Sequence, residues 1–138
     1  MTATLIVKGI VFSPDMKKIL LLQRSSFEDA GAYCWEPPGG KIEENESPEE
    51  AVLREIQEES GISIDNVDEL LDVSLFKHNG HTLLSIGYLC HSDTYSVTLS
   101  EEHMDYLWAD EEHCRKMMLK EIVEELDRKN VFSMLIKE

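Results

Sequence analysis

Cysteine is scarce in this 138-residue chain, which contains only Cys34, Cys90 and Cys114 and no C-x-x-C pair. An odd number of cysteines without paired spacing argues against a disulfide framework and against a zinc site built from cysteines. Reduced thiols are therefore expected, and a cytoplasmic location fits that expectation.

Basic residues are also few, since 13 lysines and arginines face 28 aspartates and glutamates and leave a formal net charge of -15. Such an acidic chain would repel a nucleic-acid polymer and an anionic membrane, so neither is expected as a partner. A phosphorylated small molecule is an anion as well, but metal ions can bridge carboxylates to phosphate oxygens.

Long hydrophobic runs are missing too, because no apolar stretch approaches the roughly 18 residues of a membrane-spanning helix. The apolar segment MTATLIVKGIVF is interrupted by Lys8 and has neither a basic leader nor a small-residue cleavage site. It is therefore interpreted as a strand and not as a signal peptide. Without repeats, low-complexity tracts or linkers, residues 1–138 are expected to form a single domain.

The chain does contain a regular series of predicted strands and helices. Strands or extended segments are predicted at residues 3–12, 19–23, 34–43, 67–77, 82–90 and 106–109. Asn79-Gly80 predicts a hairpin, which residues 95–99 are expected to extend or cap. Helices are predicted at residues 48–60 and 111–130, whereas the structure of residues 131–136 is left open. This order predicts a mixed α/β domain.

The helix at residues 48–60 has sequence signals at both ends. Ser47 suits the N-cap, Pro48 suits the first helical position, and Glu50 completes a capping box. Gly61 predicts the helix end, because glycine adopts the left-handed conformation at little cost. The core-facing stripes of the two predicted helices are Val52, Leu53 and Ile56 in the first, and Met117, Met118, Ile122, Val123 and Leu126 in the second.

Glu55, Glu58 and Glu59 stand at spacings i, i+3 and i+4, so their carboxylates would converge beside the apolar stripe. Their repulsion is roughly 0.2–0.5 kcal/mol per pair on an isolated helix, and a hard divalent cation would reverse it. In an acidic protein, such a helix can also be only a solvated face. The preceding turn, WEPPGG at residues 35–40, favours a site, because glycines let a phosphate approach main-chain N–H groups.

Residues 40–62, GKIEENESPEEAVLREIQEESGI, resemble the Nudix box of the Nudix hydrolase family, and WEPPGGKIE resembles its MutT-like branch. The matching positions are Gly40, Glu46, Arg54, Glu55, Ile56, Glu58, Glu59, Gly61 and Ile62. The resemblance implies a Mg²⁺-dependent hydrolase, with Mn²⁺ as a substitute ion, that cleaves a diphosphate linked to another moiety. It also implies an α/β fold in which a mixed sheet lies between helices in an α/β/α sandwich.

The resemblance also implies roles for individual residues. Glu55, Glu58 and Glu59 would bind the metal, and Glu55 is alternatively the general base, since family members differ. Glu55, Glu58 and Arg54 form the catalytic set, in which Arg54 is expected to orient a carboxylate through paired hydrogen bonds. Glu46 would contact the metal through water.

Arg24, Gly39 and Gly40 are the substrate-binding residues that the resemblance implies. The glycines would contribute backbone to the metal site or the phosphate, whereas Arg24 could equally be a surface arginine at a strand end. Glu101 and Glu102 are interpreted as solvated loop acids, with a further metal ligand or the base as the alternative.

Other residue types carry less information about function. His78 and His81 flank the hairpin tip and are expected to belong to a surface turn, and His103 and His113 show no usable pattern. Core or rim packing is expected, ahead of stacking on a base, for Trp35, Phe76, Tyr88 and Trp108.

The leading functional interpretation is hydrolysis of a (deoxy)nucleoside triphosphate to a monophosphate and pyrophosphate. The chain lacks a proline about 15 residues beyond Ile62, as ADP-sugar pyrophosphatases have, and a tyrosine about 16–18 residues beyond it, as many diadenosine polyphosphate hydrolases have. A nucleotide sugar or another nucleoside-diphosphate derivative stays open as substrate. A non-catalytic nucleotide-binding module on the same fold is a second class, and a homodimer is left open.

Overall fold

The structure is a computed structural model that describes residues 3–25, 33–78 and 80–137. The sequence predicts a loop from Ser25 to Tyr33, and most of it lies outside the described residues, as do the turn residue Asn79 and the side chains of Phe76 and His78.

Within the described residues, the chain forms seven strands, three α-helices and one 3₁₀ helix. The strands are β1 (Ala3–Phe12), β2 (Ile19–Arg24), β3 (Trp35–Glu36), β4 (Gly39–Lys41), β5 (Glu69–His78), β6 (His81–His91) and β7 (His103–Ala109). The helices are α1 (Pro48–Ser60), α2 (Glu111–Met117) and α3 (Lys120–Arg128), followed by the 3₁₀ helix at Val131–Met134. No helix among these residues is long and apolar enough to cross a membrane.

Strand β1 is the centre of a mixed sheet in the order β3-β2-β1-β6-β5. It runs parallel to β6 from Ala3 opposite Thr82 to Phe12 opposite His91. On its other side it is antiparallel to β4 along Ile6–Lys8, and it pairs with β2 at Phe12. Strands β4 and β2 thus pair with different parts of β1. The glycines of β4 lie beside the middle of β1, and the segment that leads into α1 follows them directly.

The two faces of the sheet carry separate hydrophobic cores. Val7 and Val11 of β1 pack with α1 on one face, whereas Ile10 and Phe12 pack with α2, α3 and the 3₁₀ helix on the other. This alternation follows from the two-residue period of a strand. The result is the predicted α/β/α sandwich with a mixed sheet between helices.

Helix α1 has the predicted bounds and the predicted caps. The Ser47 side chain accepts a hydrogen bond from the Glu50 backbone N–H, and the Glu50 side chain accepts one from the Ser47 N–H. Gly61 ends the helix in the left-handed conformation with φ of 76°. Val52 and Ile56 are fully buried, and Leu53 packs beside them, so the predicted inner stripe is confirmed.

The prediction of one helix over residues 111–130 is wrong, because the chain breaks into α2 and α3. Met118 and Leu119 adopt extended conformations, and Met118 forms an isolated parallel bridge with Trp35. The break lets α3 turn across the sheet while Met118 and Leu126 stay in the same core. Neither proline nor glycine marks this position, and the apolar period continues through it, so the pattern predicted a continuous helix.

The structure also defines three shorter segments. Residues 95–99 do not extend the β5–β6 ribbon; instead Val97 and Leu99 cap the core beneath α1. Strand β7 begins at His103, three residues before the predicted start at Tyr106. Residues 131–136, for which the sequence favours no single structure, include the 3₁₀ helix and bury Phe132.

Candidate functional site

Glu59 connects the last turn of α1 to strand β4. Its Oε1 atom accepts a hydrogen bond from the Gly39 N–H at 3.0 Å, and the residue is only 4% exposed. Burial, with the charges of Glu55, Glu102 and Glu36, raises the pKa of Glu59 to about 9, although the Gly39 N–H acts to lower it. A carboxylate held among other carboxylates in a buried position suits a bound cation, whose charge would favour the ionised form.

Glu55 lies against the next residue of the same strand. A Cβ atom built on Gly40 would be 2.7 Å from both the carboxyl carbon and Oε2 of Glu55, so a larger residue would displace this carboxylate. Burial raises the pKa of Glu55, whereas its contact with Arg54 lowers it. The Gly39-Gly40 pair therefore receives two carboxylates that α1 presents one turn apart.

The Arg54 guanidinium contacts the carboxylates of Glu46, Glu55 and Glu58. Its Nε and Nη2 atoms donate to the two carboxylate oxygens of Glu46 at 2.6 and 3.0 Å, and Nη2 also donates to the Lys41 carbonyl at 3.1 Å. Its Nη1 atom donates to Glu55 Oε1 at 2.8 Å and to Glu58 Oε1 at 3.2 Å. One guanidinium thus fixes the orientation of Glu55 and Glu58, and Glu46 contacts it directly.

Glu58 is the most accessible of the three helix glutamates, with 53% of its side chain exposed. It therefore combines a fixed contact to Arg54 with an open side toward solvent. Together, Glu55, Glu58 and Glu59 offer carboxylate oxygens at graded depth along one face of α1. Such all-oxygen donor sets suit Mg²⁺ or Mn²⁺, and the residues present fit a hard divalent cation.

His103 also lies beside these glutamates, although no sequence pattern indicated a role for it. Ligand atoms of Glu59, Glu102 and His103 lie within 4.8 Å of one another, which brings the loop acid Glu102 to the site. His103 is buried, and its Nε2 atom is 3.0 Å from Glu36 Oε2. Arg24 contacts the same Glu36 carboxylate at 3.2 Å from Nη1. Only the pairing of β2 with β7 brings these residues together, so no local pattern could have found them.

A groove of about 900 Å³ opens on the α3 side of the sheet. The predicted substrate-binding residues Arg24, Gly39 and Gly40 all line it, together with Glu36 and Lys41. Most of the rest of the lining comes from apolar and basic side chains of β1 and β5 and from α3, which contributes Glu121, Glu124 and Glu125 as well as Ile122 and Arg128. None of the three α1 glutamates lines the groove, but Gly39 and Gly40 both line it and contact Glu59 and Glu55, so the groove adjoins the carboxylates at these two glycines.

The remaining candidate residues lie apart from this site. Glu101 is exposed, and its carbonyl accepts a hydrogen bond from the Ser25 hydroxyl. Tyr88 is buried in the core beneath α1, Trp108 packs against that core, and Trp35 packs against the other one, which confirms the expected packing role. His81 is exposed at the β5–β6 turn.

Comparison with known proteins gives matches along most of the chain. The family model described as NUDIX domain matches residues 4–129. The bis(5'-nucleosyl)-tetraphosphatase [asymmetrical] of Mus musculus is 32% identical over 114 residues, which cover 76% of this chain and 73% of that protein. The 8-oxo-dGTP diphosphatase of Proteus vulgaris is 50% identical over 46 residues, which cover 33% of this chain and only 40% of that protein.

The fold itself is found in a solved structure of similar size. The crystal structure of the MutT protein from Methanosarcina mazei Go1 superimposes with a TM-score of 0.84 and 25% sequence identity. The alignment covers 95% of this chain and 95% of that one, so the sheet and both helical layers are shared.

Proposed function

Because the chain belongs to the NUDIX family of hydrolases, we propose that it hydrolyses a nucleoside triphosphate to a nucleoside monophosphate and pyrophosphate. The observation that carries this proposal is the convergence of Glu55 and Glu59 on the Gly39-Gly40 backbone, which also lines a groove of about 900 Å³. A groove of this size takes a nucleoside, and the adjoining carboxylates suit a metal that binds its phosphates.

We assign Glu55, Glu58 and Glu59 as ligands of Mg²⁺, with Mn²⁺ as a substitute. When bound, the cation would lower the pKa of water and neutralise the leaving pyrophosphate. The Gly39 N–H holds Glu59 in place, and the open face of Gly40 admits Glu55. These two glycines therefore contribute to the metal site through backbone and space.

Arg54 is a positioning residue in this proposal, because its guanidinium holds Glu55 and Glu58 and is itself fixed by Glu46. Glu55 or Glu58 accepts the proton of the attacking water at a carboxylate oxygen. The oxygen of that water forms the new bond to phosphorus as the bond to the departing pyrophosphate breaks. Arg24, which lines the groove, binds the substrate.

The test is a substrate panel assayed with Mg²⁺, with Mn²⁺ and with excess EDTA. It contains nucleoside triphosphates, 8-oxo-dGTP, nucleotide sugars and a dinucleoside tetraphosphate, and products are separated by chromatography. Cation-dependent release of monophosphate and pyrophosphate from a triphosphate supports the proposal. Preference for the dinucleoside compound would support the second candidate, which the similarity to the mouse tetraphosphatase favours. Full turnover in EDTA would remove the metal assignment, and binding without turnover would indicate a non-catalytic module.

A further inference from the structure

His103 stands beside the proposed magnesium ligands but has no part in the proposed reaction. It begins β7, and its side chain is only 2% exposed. A ring nitrogen of His103, a carboxylate oxygen of Glu59 and one of Glu102 lie within 4.8 Å of one another. An imidazole and two carboxylates at this spacing can share one metal ion with small adjustments, since each ligand atom lies about 2.0–2.2 Å from such an ion.

The two ring nitrogens of His103 have different surroundings. Nε2 lies 3.0 Å from Glu36 Oε2. An ionised carboxylate only accepts hydrogen bonds, so Nε2 carries the ring proton in this contact. In the neutral ring, Nδ1 then has a lone pair and no proton. Nδ1 is buried and has no hydrogen-bond partner among the described residues.

The burial of Nδ1 favours a small ion as its partner. Buried polar atoms almost always have one, so this nitrogen requires an explanation. Its surroundings leave almost no surface that a water molecule can reach. A water oxygen lies about 2.8–3.0 Å from a nitrogen that it bonds, whereas a divalent metal ion lies only about 2.0–2.1 Å from a histidine ligand. The space at Nδ1 therefore suits an ion better than a water molecule.

The contact on the other side of the ring supports the same partner. Histidines that bind a metal almost always donate their second ring N–H to a carboxylate, a carbonyl or water, which fixes the tautomer and the ring orientation. His103 has such a carboxylate in Glu36. Glu36 is held in turn by Arg24, whose Nη1 atom lies 3.3 and 3.2 Å from its two oxygens. The ring is thus oriented to offer the Nδ1 lone pair.

We propose that Nδ1 of His103 binds a divalent transition-metal ion together with the carboxylates of Glu59 and Glu102. This position lies beside the all-oxygen Mg²⁺ set, and it rests on the proposed function only through Glu59, which belongs to both. Imidazole nitrogen suits ions such as Zn²⁺ and Fe²⁺, whereas Mg²⁺ prefers oxygen ligands. Glu102 is exposed, so the ion has an entry from solvent and can keep water as a further ligand.

The chain contains an internal control of the same composition. Ligand atoms of Asp110, Glu112 and His113 also lie within 4.8 Å of one another. All three of these residues are exposed, and His113 Nδ1 is already 2.7 Å from Asp110 Oδ1. This group has the residue types and the spacing of the proposed site but not its buried nitrogen without a partner. We therefore expect it to bind metal more weakly.

The first test follows the ring nitrogens of all five histidines by NMR. Untagged protein with ¹⁵N-labelled histidine is titrated with Zn²⁺, and separately with Mg²⁺, in the absence of nucleotide, and long-range proton–nitrogen correlation spectra are recorded. At about one equivalent, Zn²⁺ should shift the Nδ1 signal of His103 before any other, whereas Mg²⁺ should leave it in place. A Zn²⁺ shift at His113 or another histidine, with His103 unchanged, would overturn the proposal.

The second test uses His103→Gln, with His113→Gln as the matched control. The glutamine amide can still donate to Glu36, but its nitrogen has no lone pair for a metal. By calorimetry, the Zn²⁺ affinity of His103→Gln should fall at least about tenfold, since even loss of an outer partner of a metal ligand typically reduces affinity about 10–100-fold. Its Mg²⁺ affinity, and both affinities of His113→Gln, should stay at the wild-type values. Equal losses of Zn²⁺ and Mg²⁺ affinity in His103→Gln would indicate a structural role and overturn the proposal.

A third variant and the reaction itself complete the test. If circular dichroism shows that His103→Gln does not fold, Glu102→Gln takes its place, because Glu102 is exposed; unchanged Zn²⁺ affinity there would overturn the proposal. Zn²⁺ bound at His103 in a protein that hydrolyses no triphosphate would keep this site and refute the reaction. Mg²⁺-dependent hydrolysis without any Zn²⁺ effect on His103 Nδ1 would do the reverse.

Discussion

Gly40 and Glu55 fit together so closely that a Cβ atom at position 40 would lie 2.7 Å from the Glu55 carboxyl carbon. Strand β4 therefore has no side chain at the point where α1 brings this carboxylate against the sheet. The neighbouring Gly39 is more tightly constrained, because its Cβ would lie 2.2 Å from the Val7 carbonyl oxygen, which is backbone and cannot move aside as a side chain can. Gly39 thus serves the pairing of the sheet, and Gly40 serves the position of Glu55.

Gly40→Ala should therefore lower activity while the protein stays folded. The new methyl group would displace the Glu55 carboxylate, and misplacement by about 1 Å can reduce a rate roughly 10²-fold. The measurement is kcat on the best substrate of the panel, with circular dichroism to check the fold. Gly87→Ala is the control, because a Cβ there meets only ordinary contacts at 3.7 Å and beyond. Equal activity of both variants would show that the Gly40–Glu55 contact is unimportant for catalysis.

Arg54→Lys should also impair turnover, although it keeps the positive charge. A lysine ammonium cannot reproduce the planar guanidinium that contacts Glu46, Glu55 and Glu58 at once. Loss of a group that orients metal ligands typically reduces metal affinity or activity about 10–100-fold. We expect the Mg²⁺ concentration for half-maximal activity to rise. Wild-type kinetics and metal dependence in this variant would remove Arg54 from the positioning role.

Glu58→Gln should lower kcat by at least about 10²-fold, the usual scale for losing a major electrostatic contributor. The amide keeps the shape of the side chain but removes the charge that would hold the cation. Glu49→Gln is the matched control, since Glu49 is an exposed glutamate in the first turn of the same helix. If both variants turn over at wild-type rates, Glu58 belongs to a solvated helix face.

The parts of this site that sequence could predict are those encoded locally. Ser47, Pro48, Glu50 and Gly61 fixed the bounds of α1, and the spacing of its glutamates predicted their common face. Contacts between residues far apart in the sequence left no comparable local pattern. Lys8 was visible only as an interruption of an apolar run, because its contact with Glu125 depends on how α3 crosses the sheet.

The same limit explains the missed histidine and the missed helix break. His103 meets Glu36 only because β7 and β3 both pair with β2, which no segment of sequence displays alone. The break at Met118 is set by its bridge to Trp35, another contact between distant segments. Periodicity therefore predicted whether a segment forms a helix or a strand. The residues that line the groove could be identified only once the register of the sheet was known.

Mg²⁺ should stabilise the fold as well as support the reaction. Glu55 and Glu59 are carboxyl groups whose pKa values are raised by burial and by neighbouring acids, within a chain of net charge -15. A cation that binds only the native state stabilises it by RT ln(1 + [L]/Kd), which is about 1.4 kcal/mol at ten times Kd. The expected result is a melting temperature that rises by a few degrees with Mg²⁺.

The control for this stabilisation is the triple Glu→Gln variant at positions 55, 58 and 59, melted with and without Mg²⁺ at matched ionic strength. General screening of the acidic surface would act equally on both proteins, because the variant keeps 25 of the 28 acidic side chains. Specific binding at α1 should instead shift only the wild type, with saturation as the Mg²⁺ concentration rises. An equal, unsaturated shift in both proteins would place the effect on the surface charge and not at these three glutamates.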